Sequence, residues 1–398
     1  MTSQEFAKEE YLETLGALVA IKSNYFHEEA IMAYVYERLR ARGIDAVMHE
    51  YEDAQVTGFK GKNVIGRMGN PEKGPKILLN AHLDTVNPLK SWTYPPYELT
   101  VEGDRAYGMG SCDMKSGAAA LILAVEGLHE RAKDLQGEII FSFVSDEEGP
   151  FGLGTNYLIH ENLINDADIA IVTEPSAAFT RIPFPNVCIG ARGGTSYRVD
   201  FHGRAAHGAH PHLGISAIKD AARVVNALDQ IVLPSDGILG RGDQCVINIQ
   251  GGGDACSVAE HAFIEVFRHM VTGETKESVY QEIDSLIKSL NLECGYEITF
   301  RKGPTEGSDI FLPYVSDKEN PLMKAFGEVV AEVTSREANY GYFDSIGDFN
   351  YLGSRINQPV VVFGPEGGNF HSGDEWVDIP SALKTTEVVY RYLEKMLL

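Results

Sequence analysis

Hydrophobic positions along the chain fall into two rhythms. Short, continuously apolar runs of strand length occur at Lys76–Ala81 (KILLNA), Glu138–Val144 (EIIFSFV), Asp168–Thr173 (DIAIVT) and Pro359–Phe363. Between the first three, and ahead of them, apolar residues recur at helical spacing over Tyr11–Lys22, Glu28–Arg42, Met114–His129 and Thr155–Glu161. Strands apolar on both faces that alternate with helices predict a parallel sheet covered on both sides. From Cys188 to Arg301 the rhythm changes. A strand (Thr195–Phe201), a helix (Ile215–Asp229), two strands (Cys245–Gln250, Ala262–His269), a helix (Lys276–Leu290) and a strand (Tyr296–Arg301) succeed one another in βαββαβ order. That order is the split ferredoxin-like unit, expected here as an insertion. Helices over Pro321–Thr334 and Pro380–Leu397, with the strand 359–363, then complete the first sheet. The expected fold is α/β: a mixed, largely parallel sheet with helices on both faces, built from 1–186 and 304–398, and an inserted ferredoxin-like domain over 187–303.

Composition narrows the setting. The 398 residues, 44% of them hydrophobic, suffice for two cores. A net charge of −23 repels phosphate backbones and anionic lipid, so neither nucleic acid nor a membrane is an expected partner. Five cysteines (Cys112, Cys188, Cys245, Cys256, Cys294) are scattered and form no Cys-x-x-Cys pair, which suits reduced thiols. Met1–Glu10 lacks the basic-then-apolar character of a signal peptide, and the longest apolar stretch, Gly117–Val125, is about half a membrane span. A cytoplasmic protein is expected.

In open α/β sheets ligands bind beyond the carboxyl ends of the strands. The apolar strands of this chain lead directly into His82-Leu83-Asp84, Ser145-Asp146-Glu147-Glu148, Glu174-Pro175, and a glycine-rich loop from Gly364 to His371. A further turn, Gly108 to Lys115, enters a helix through Asp113. One such residue would be a cap or a solvated loop position; five arriving at one edge are harder to assign to surface. Carboxylates crowded together repel unless cations neutralise them. Oxygen and imidazole donors without thiolate suit zinc, manganese or cobalt. Two divalent ions and one hydroxide would neutralise Asp113, Glu148 and Glu174. No Gly-x-Ser-x-Gly elbow or other nucleophile constellation is present.

HLDTV at 82–86, GMGSCDMKSG at 108–117, SDEEG at 145–149, TEPS at 173–176 and the late His371 resemble, in order and spacing, the dinuclear metallohydrolases that include aminoacylase, carboxypeptidase G, acetylornithine deacetylase and succinyl-diaminopimelate desuccinylase. The resemblance runs from about Asn80 to Asp378 and includes the insertion. It implies that His82 and Glu174 bind one metal, Glu148 and His371 the other, and that Asp113 bridges them. Asp84 would orient His82 and Glu147 would be the general base. Neighbouring side chains in extended backbone point to opposite sides, which suits a division of labour between Glu147 and Glu148. Cys112, beside the bridging position, reads as a packed neighbour.

The resemblance also makes the insertion a dimerising lid whose His207, in Gly203–Pro211, reaches into the partner's site and stabilises the oxyanion. It puts Arg268 on the substrate's carboxylate, with Ser257 and Gly364 also at the substrate. After Gly252-Gly253 the chain departs from many relatives, carrying Ser257 where they have an asparagine and Glu260 where they have a proline. His210 and His212 read as surface histidines, and Tyr340, Tyr342 and Phe343 as core before specificity.

The implied activity is two-metal hydrolysis of an amide next to a free carboxylate: deacylation of an N-acyl amino acid, with zinc ahead of cobalt or manganese and a homodimer formed through the lid. The alternative is a metallo-exopeptidase (carboxypeptidase or dipeptidase) acting on short peptides. A catalytically silent binding protein is the remote alternative, disfavoured because no expected ligand is missing.

Overall fold

The computed structural model describes residues 7–149, 151–356 and 358–398, so the first six residues of the leading acidic segment lie outside the described residues. The chain divides into two compact units. One comprises Met1–Ala191, Pro304–Glu306 and Val315–Leu398; the other comprises Arg192–Gly303 and Gly307–Tyr314. Strand Asn186–Ala191 therefore belongs to the first unit.

The first unit is built on a nine-stranded sheet. Its order is Ala46–Glu52, Lys60–Gly69, Glu138–Val144, Lys76–His82, Ile169–Val172, Val360–Val362, Asn186–Ala191 and Tyr314–Val315, with Asn339–Phe343 also pairing Asn186–Ala191. The centre is parallel: Lys76–His82 runs alongside both Glu138–Val144 and Ile169–Val172, and Val360–Val362 alongside Ile169–Val172. Every residue of Glu138–Val144 and Ile169–Val172 is buried, as expected of strands covered on both faces. Helix Lys115–His129 is buried almost all round, which its Gly117-Ala118-Ala119-Ala120 run permits. A Cβ on Gly117 would stand 2.1 Å from the Thr173 carbonyl, so the helix can lie this close to the strand end only with glycine there.

The hairpin edge is where pattern and structure part. Ala46–Glu52 and Lys60–Gly69 pair antiparallel, and the latter continues antiparallel onto Glu138–Val144. One face of Ala46–Glu52 is solvated, and its charged positions dilute the apolar signal. Strands Asn186–Ala191 and Asn339–Phe343 also went unread. A separate small sheet, in the order Gly367–Gly368, Trp376–Asp378, Arg105–Tyr107 and Thr100–Glu102, stitches together two distant loops.

The second unit has a four-stranded antiparallel sheet ordered Asp243–Gly252, His261–Met270, Gly193–His202, Gly295–Phe300. Helices Ala217–Leu228 and Lys276–Ser289 pack their apolar stripes (Val224, Leu228, Ile283, Ile287) against Tyr197, Val199, Phe201, Ile264 and Val266. Ser216 caps the first helix, and Thr275 with Ser278 forms a capping box on the second. Among the described residues no helix is long and apolar enough to cross a membrane.

Candidate metal centre

Because the central strands of the first unit are parallel, their carboxyl ends share one edge, and the loops leaving them meet there. His82 is the last residue of its strand and is 1% exposed. Its Nε2 lies 3.3 Å from Asp113 Oδ1, 3.3 Å from Glu174 Oε1 and 3.8 Å from Glu147 Oε2. On the opposite side Asp113 Oδ2 lies 3.5 Å from His371 Nε2, which in turn lies 2.7 Å from Glu148 Oε2. Each imidazole thus has its own glutamate, and one aspartate faces both.

Asp84 supports this arrangement from behind. Its two carboxylate oxygens accept the backbone N–H groups of Glu147 (3.1 Å) and Glu148 (2.8 Å). His82 Nδ1 lies 3.1 Å from the Asp84 carbonyl and 3.5 Å from its Oδ1. A hydrogen bond of this kind leaves Nε2 as the free ligand atom. Gly347 borders the base: a Cβ there would come within 2.9 Å of Glu147 Oε1 and 2.5 Å of the Phe349 ring.

The electrostatics describe a site with too much negative charge. Burial, with Asp113 alongside, pushes Glu148 up to about 8 and Glu174 up to about 7. Burial also drives Glu147 well above the usual carboxylate range, with only partial relief from His82. Burial works against ionised Asp113 too, but hydrogen bonds from His371 and His82 outweigh it and hold that carboxyl low. Hydrogen bonds that His371 donates to Asp113 and Glu148 raise it to about 11. Without cations, the surrounding carboxylates favour the protonated form of both imidazoles. Close groupings of candidate donors form at His82–Glu147–Glu174 and His82–Asp113–Glu148, and His371 adjoins the second through Glu148 and Asp113. Such oxygen and nitrogen donors fit divalent metal ions.

The structure gathers His82, Asp84, Asp113, Glu147, Glu148, Glu174 and His371 at one edge. His207 and Ser257 are bridged to each other on exposed loops of the second unit, with His210 and His212 also exposed. Arg268, which the resemblance puts on the substrate carboxylate, lies on the helix-covered face of the second unit's sheet, wholly buried and ion-paired with Glu274. Strand alternation is the reason: Ile264, Val266, Arg268 and Met270 share the core face. Gly364, expected at the substrate, is buried beside Glu174, and a Cβ there would meet the Glu174 carbonyl at 2.3 Å. It lets two strand ends approach. Cys112 is a packed neighbour, fully buried, with its Sγ where a Gly367 Cβ would be and its thiol pushed far up by burial.

Sequence reading missed Glu375, Gly347 and the buried Lys115. Lys115 Nζ donates to the carbonyls of Leu18 and Ile21 at 3.0 Å each. Of the three, only Lys115 lies in a stretch that the resemblance singles out, GMGSCDMKSG at 108–117.

Such a site at the carboxyl edge of such a sheet suits a metal-dependent hydrolase, and the family match gives the amide as the bond cleaved. The profile of Peptidase family M20/M25/M40 matches residues 78–395, and the chain belongs to that family. Among curated relatives, a succinyl-diaminopimelate desuccinylase from Polynucleobacter necessarius subsp. necessarius is 27% identical over 395 residues, covering 97% of this chain and 99% of that protein. The fold is shared with a tripeptidase from Staphylococcus aureus (TM-score 0.80, 21% identity, 98% and 99% of the two chains). It is shared also with a dinuclear metal binding peptidase of family M20 from Bacillus subtilis (TM-score 0.72, 14% identity, 98% of each chain).

Proposed function

We propose that this chain is a two-metal deacylase that hydrolyses the amide of an N-acyl amino acid beside its free carboxylate. The observation that carries this reading is the division of Asp113, with Oδ1 at 3.3 Å from His82 and Oδ2 at 3.5 Å from His371. His82 and Glu174 would hold one cation and Glu148 and His371 the other, with Asp113 between them; zinc is favoured over cobalt or manganese. Bound there, the cations would supply Lewis acidity that polarises the scissile carbonyl and acidifies water. Glu147 is the general base. Among the described residues its carboxylate forms no hydrogen bond, only the 3.8 Å approach to His82, which leaves it free to take a proton. It passes that proton to the departing amine as the water oxygen bonds to the amide carbon and the C–N bond breaks. Asp84 keeps Glu147 and His82 oriented through the bonds described above.

His207 is assigned the oxyanion. Its Nδ1 accepts the Ala209 N–H at 3.1 Å, so in the neutral ring the proton sits on Nε2 and can be donated. Ser257 beside it would contribute to substrate binding. The second unit is the dimerising lid in this reading. Strand Asp243–Gly252 ends its sheet as a free edge carrying exposed Ile247 and Ile249, the kind of surface a second copy would cover. The protein would act in the cytoplasm.

The desuccinylase relative, aligned over nearly the whole of both chains, favours the N-acyl substrate. Membership of a peptidase family keeps a short-peptide exopeptidase as the second reading. The test is amine release from N-acetyl and N-succinyl amino acids and dipeptides by metal-stripped protein with zinc, manganese or cobalt returned, beside Glu147→Ala. Metal-dependent release that disappears in the variant is expected, and the best substrate names the branch. Release without metal, or release that survives loss of Glu147, would overturn the reading.

A further inference from the structure

Glu375 lies four residues beyond His371, and its side chain is buried, at 2% exposure. Its Oε1 accepts the backbone N–H groups of Cys112 and Asp113, each at 2.9 Å, and its Oε2 that of Gly110 at 2.8 Å. Its own backbone carbonyl accepts from Gly108 N–H at 3.0 Å and from the Ser111 hydroxyl at 3.2 Å. The whole turn from Gly108 to Asp113 is therefore tied to one residue. That turn cannot easily hold itself. It tightens through Ser111 N–H to the Gly108 carbonyl and Lys115 N–H to the Gly110 carbonyl, with Gly110 at a φ of +73° that favours glycine.

A buried carboxylate costs several kcal/mol unless its lone pairs are satisfied, and three converging amide donors are what offset that cost here. Packing alone would be served by an apolar residue. The small sheet gives the arrangement its consequence. Arg105–Tyr107, which leads into the turn, pairs with Trp376–Asp378, and that strand pairs in turn with Gly367–Gly368. The turn carrying Asp113 and the loop carrying His371 thus leave the same three strands, with Glu375 fastening one to the other.

We propose that Glu375 is a positioning residue that locks the Asp113 turn to the His371 loop, so that Asp113 faces both imidazoles at the spacing cations require. It rests on the two-metal reading above, but concerns a residue that touches neither metal nor substrate. Losing the clamp frees the turn, and the shared aspartate then loses its place for both ions at once. Zinc titration into metal-stripped protein tests this by calorimetry, with wild type, Glu375→Ala, Glu375→Gln and, as a control remote from the site, Asp166→Asn. Glu375→Ala should weaken zinc binding roughly 10- to 100-fold, the usual cost of removing a support behind metal ligands. Glu375→Gln keeps one acceptor oxygen in the same volume and should lose less. The visible spectrum of the cobalt-loaded Glu375→Ala protein should change, because the ligand geometry changes.

A merely structural role would lower the melting temperature and leave the affinity of the folded protein and its cobalt spectrum as in wild type. That result in either variant overturns the inference while the two-metal reading stands. If Glu375→Ala does not fold, Glu375→Gln decides by the same criteria. Absence of zinc binding by wild type would overturn the two-metal reading, and this inference with it.

Discussion

Two ionic clusters in the molecule, both richer in carboxylates than in cations, draw their positive charge from different groups. At the carboxyl edge of the first unit, His82 and His371 face Asp113, Glu147, Glu148 and Glu174. In the core of the second unit, Arg268 pairs with Glu274 and lies 3.9 Å from Glu282, with Tyr197 near both charges. The second cluster takes its positive charge from a guanidinium. The first relies on imidazoles for its positive charge, and an imidazole can hold a proton or a metal. A buried charge marks a reactive site when its surroundings leave room for a cation from outside. Where arginine already supplies the cation, the same burial marks structure.

Breaking the first cluster should cost most in activity. Glu147→Ala is expected to lower kcat/KM by about 10²–10⁴-fold, the range for loss of a general base, and chelation should abolish turnover altogether. Steady-state assays with metal added back check both.

Breaking the second cluster should cost stability instead. Arg268→Met leaves Glu274 buried without its partner and should destabilise by about 3–5 kcal/mol, read from urea midpoints. The activity per folded molecule should change far less than in Glu147→Ala. If it fell as far, the assignment of Arg268 to structure would be wrong.

Gly347→Ala presses a methyl group against Phe349 and Glu147 Oε1. A cost of about 1–3 kcal/mol is expected, appearing partly as reduced kcat. The metal-free protein offers a test of opposite sign. Glu148→Gln removes a carboxylate from a repulsive group and should raise the stability of the stripped protein by about 0.5–2 kcal/mol while weakening metal binding. Thermal melts with and without zinc separate the two effects.

The smallest effect lies outside both clusters. Arg67 and Lys76 hold the Asp166 carboxyl below its usual range despite some burial. A depressed folded value means that its contribution is present above the unfolded value near pH 4 and fades as pH falls through the folded one. Asp166→Asn should therefore lower stability at pH 7 and have little effect in strong acid. Its half-exposed side chain limits the difference to under about 1 kcal/mol after solvent screening.

Much of this was legible in the chain. Glu138–Val144 and Pro321–Thr334 have the bounds that periodicity predicts, because each is long and uniform in pattern. The edge hairpin was not legible, since lysine and glutamate on its solvated face interrupt the alternation. His82, Glu148 and Glu174 stood out by their places at or shortly after the ends of apolar strands. The burial of Arg268 was not legible, since a charged residue on a half-buried strand is expected to face outward, whereas here it alternates onto the face of Ile264, Val266 and Met270.

The sequence by itself determined which residues can carry chemistry. Residue type and position after a strand are fixed by covalent order and by the two-residue and 3.6-residue periods of the backbone, which are local properties. Tertiary structure alone decided which of those residues meet. The pairing of Trp376–Asp378 with Arg105–Tyr107 brings Glu375 to Asp113 across more than two hundred residues. No local period encodes that pairing. It depends on which apolar surfaces and backbone hydrogen bonds can be satisfied together, a condition set by the whole chain at once.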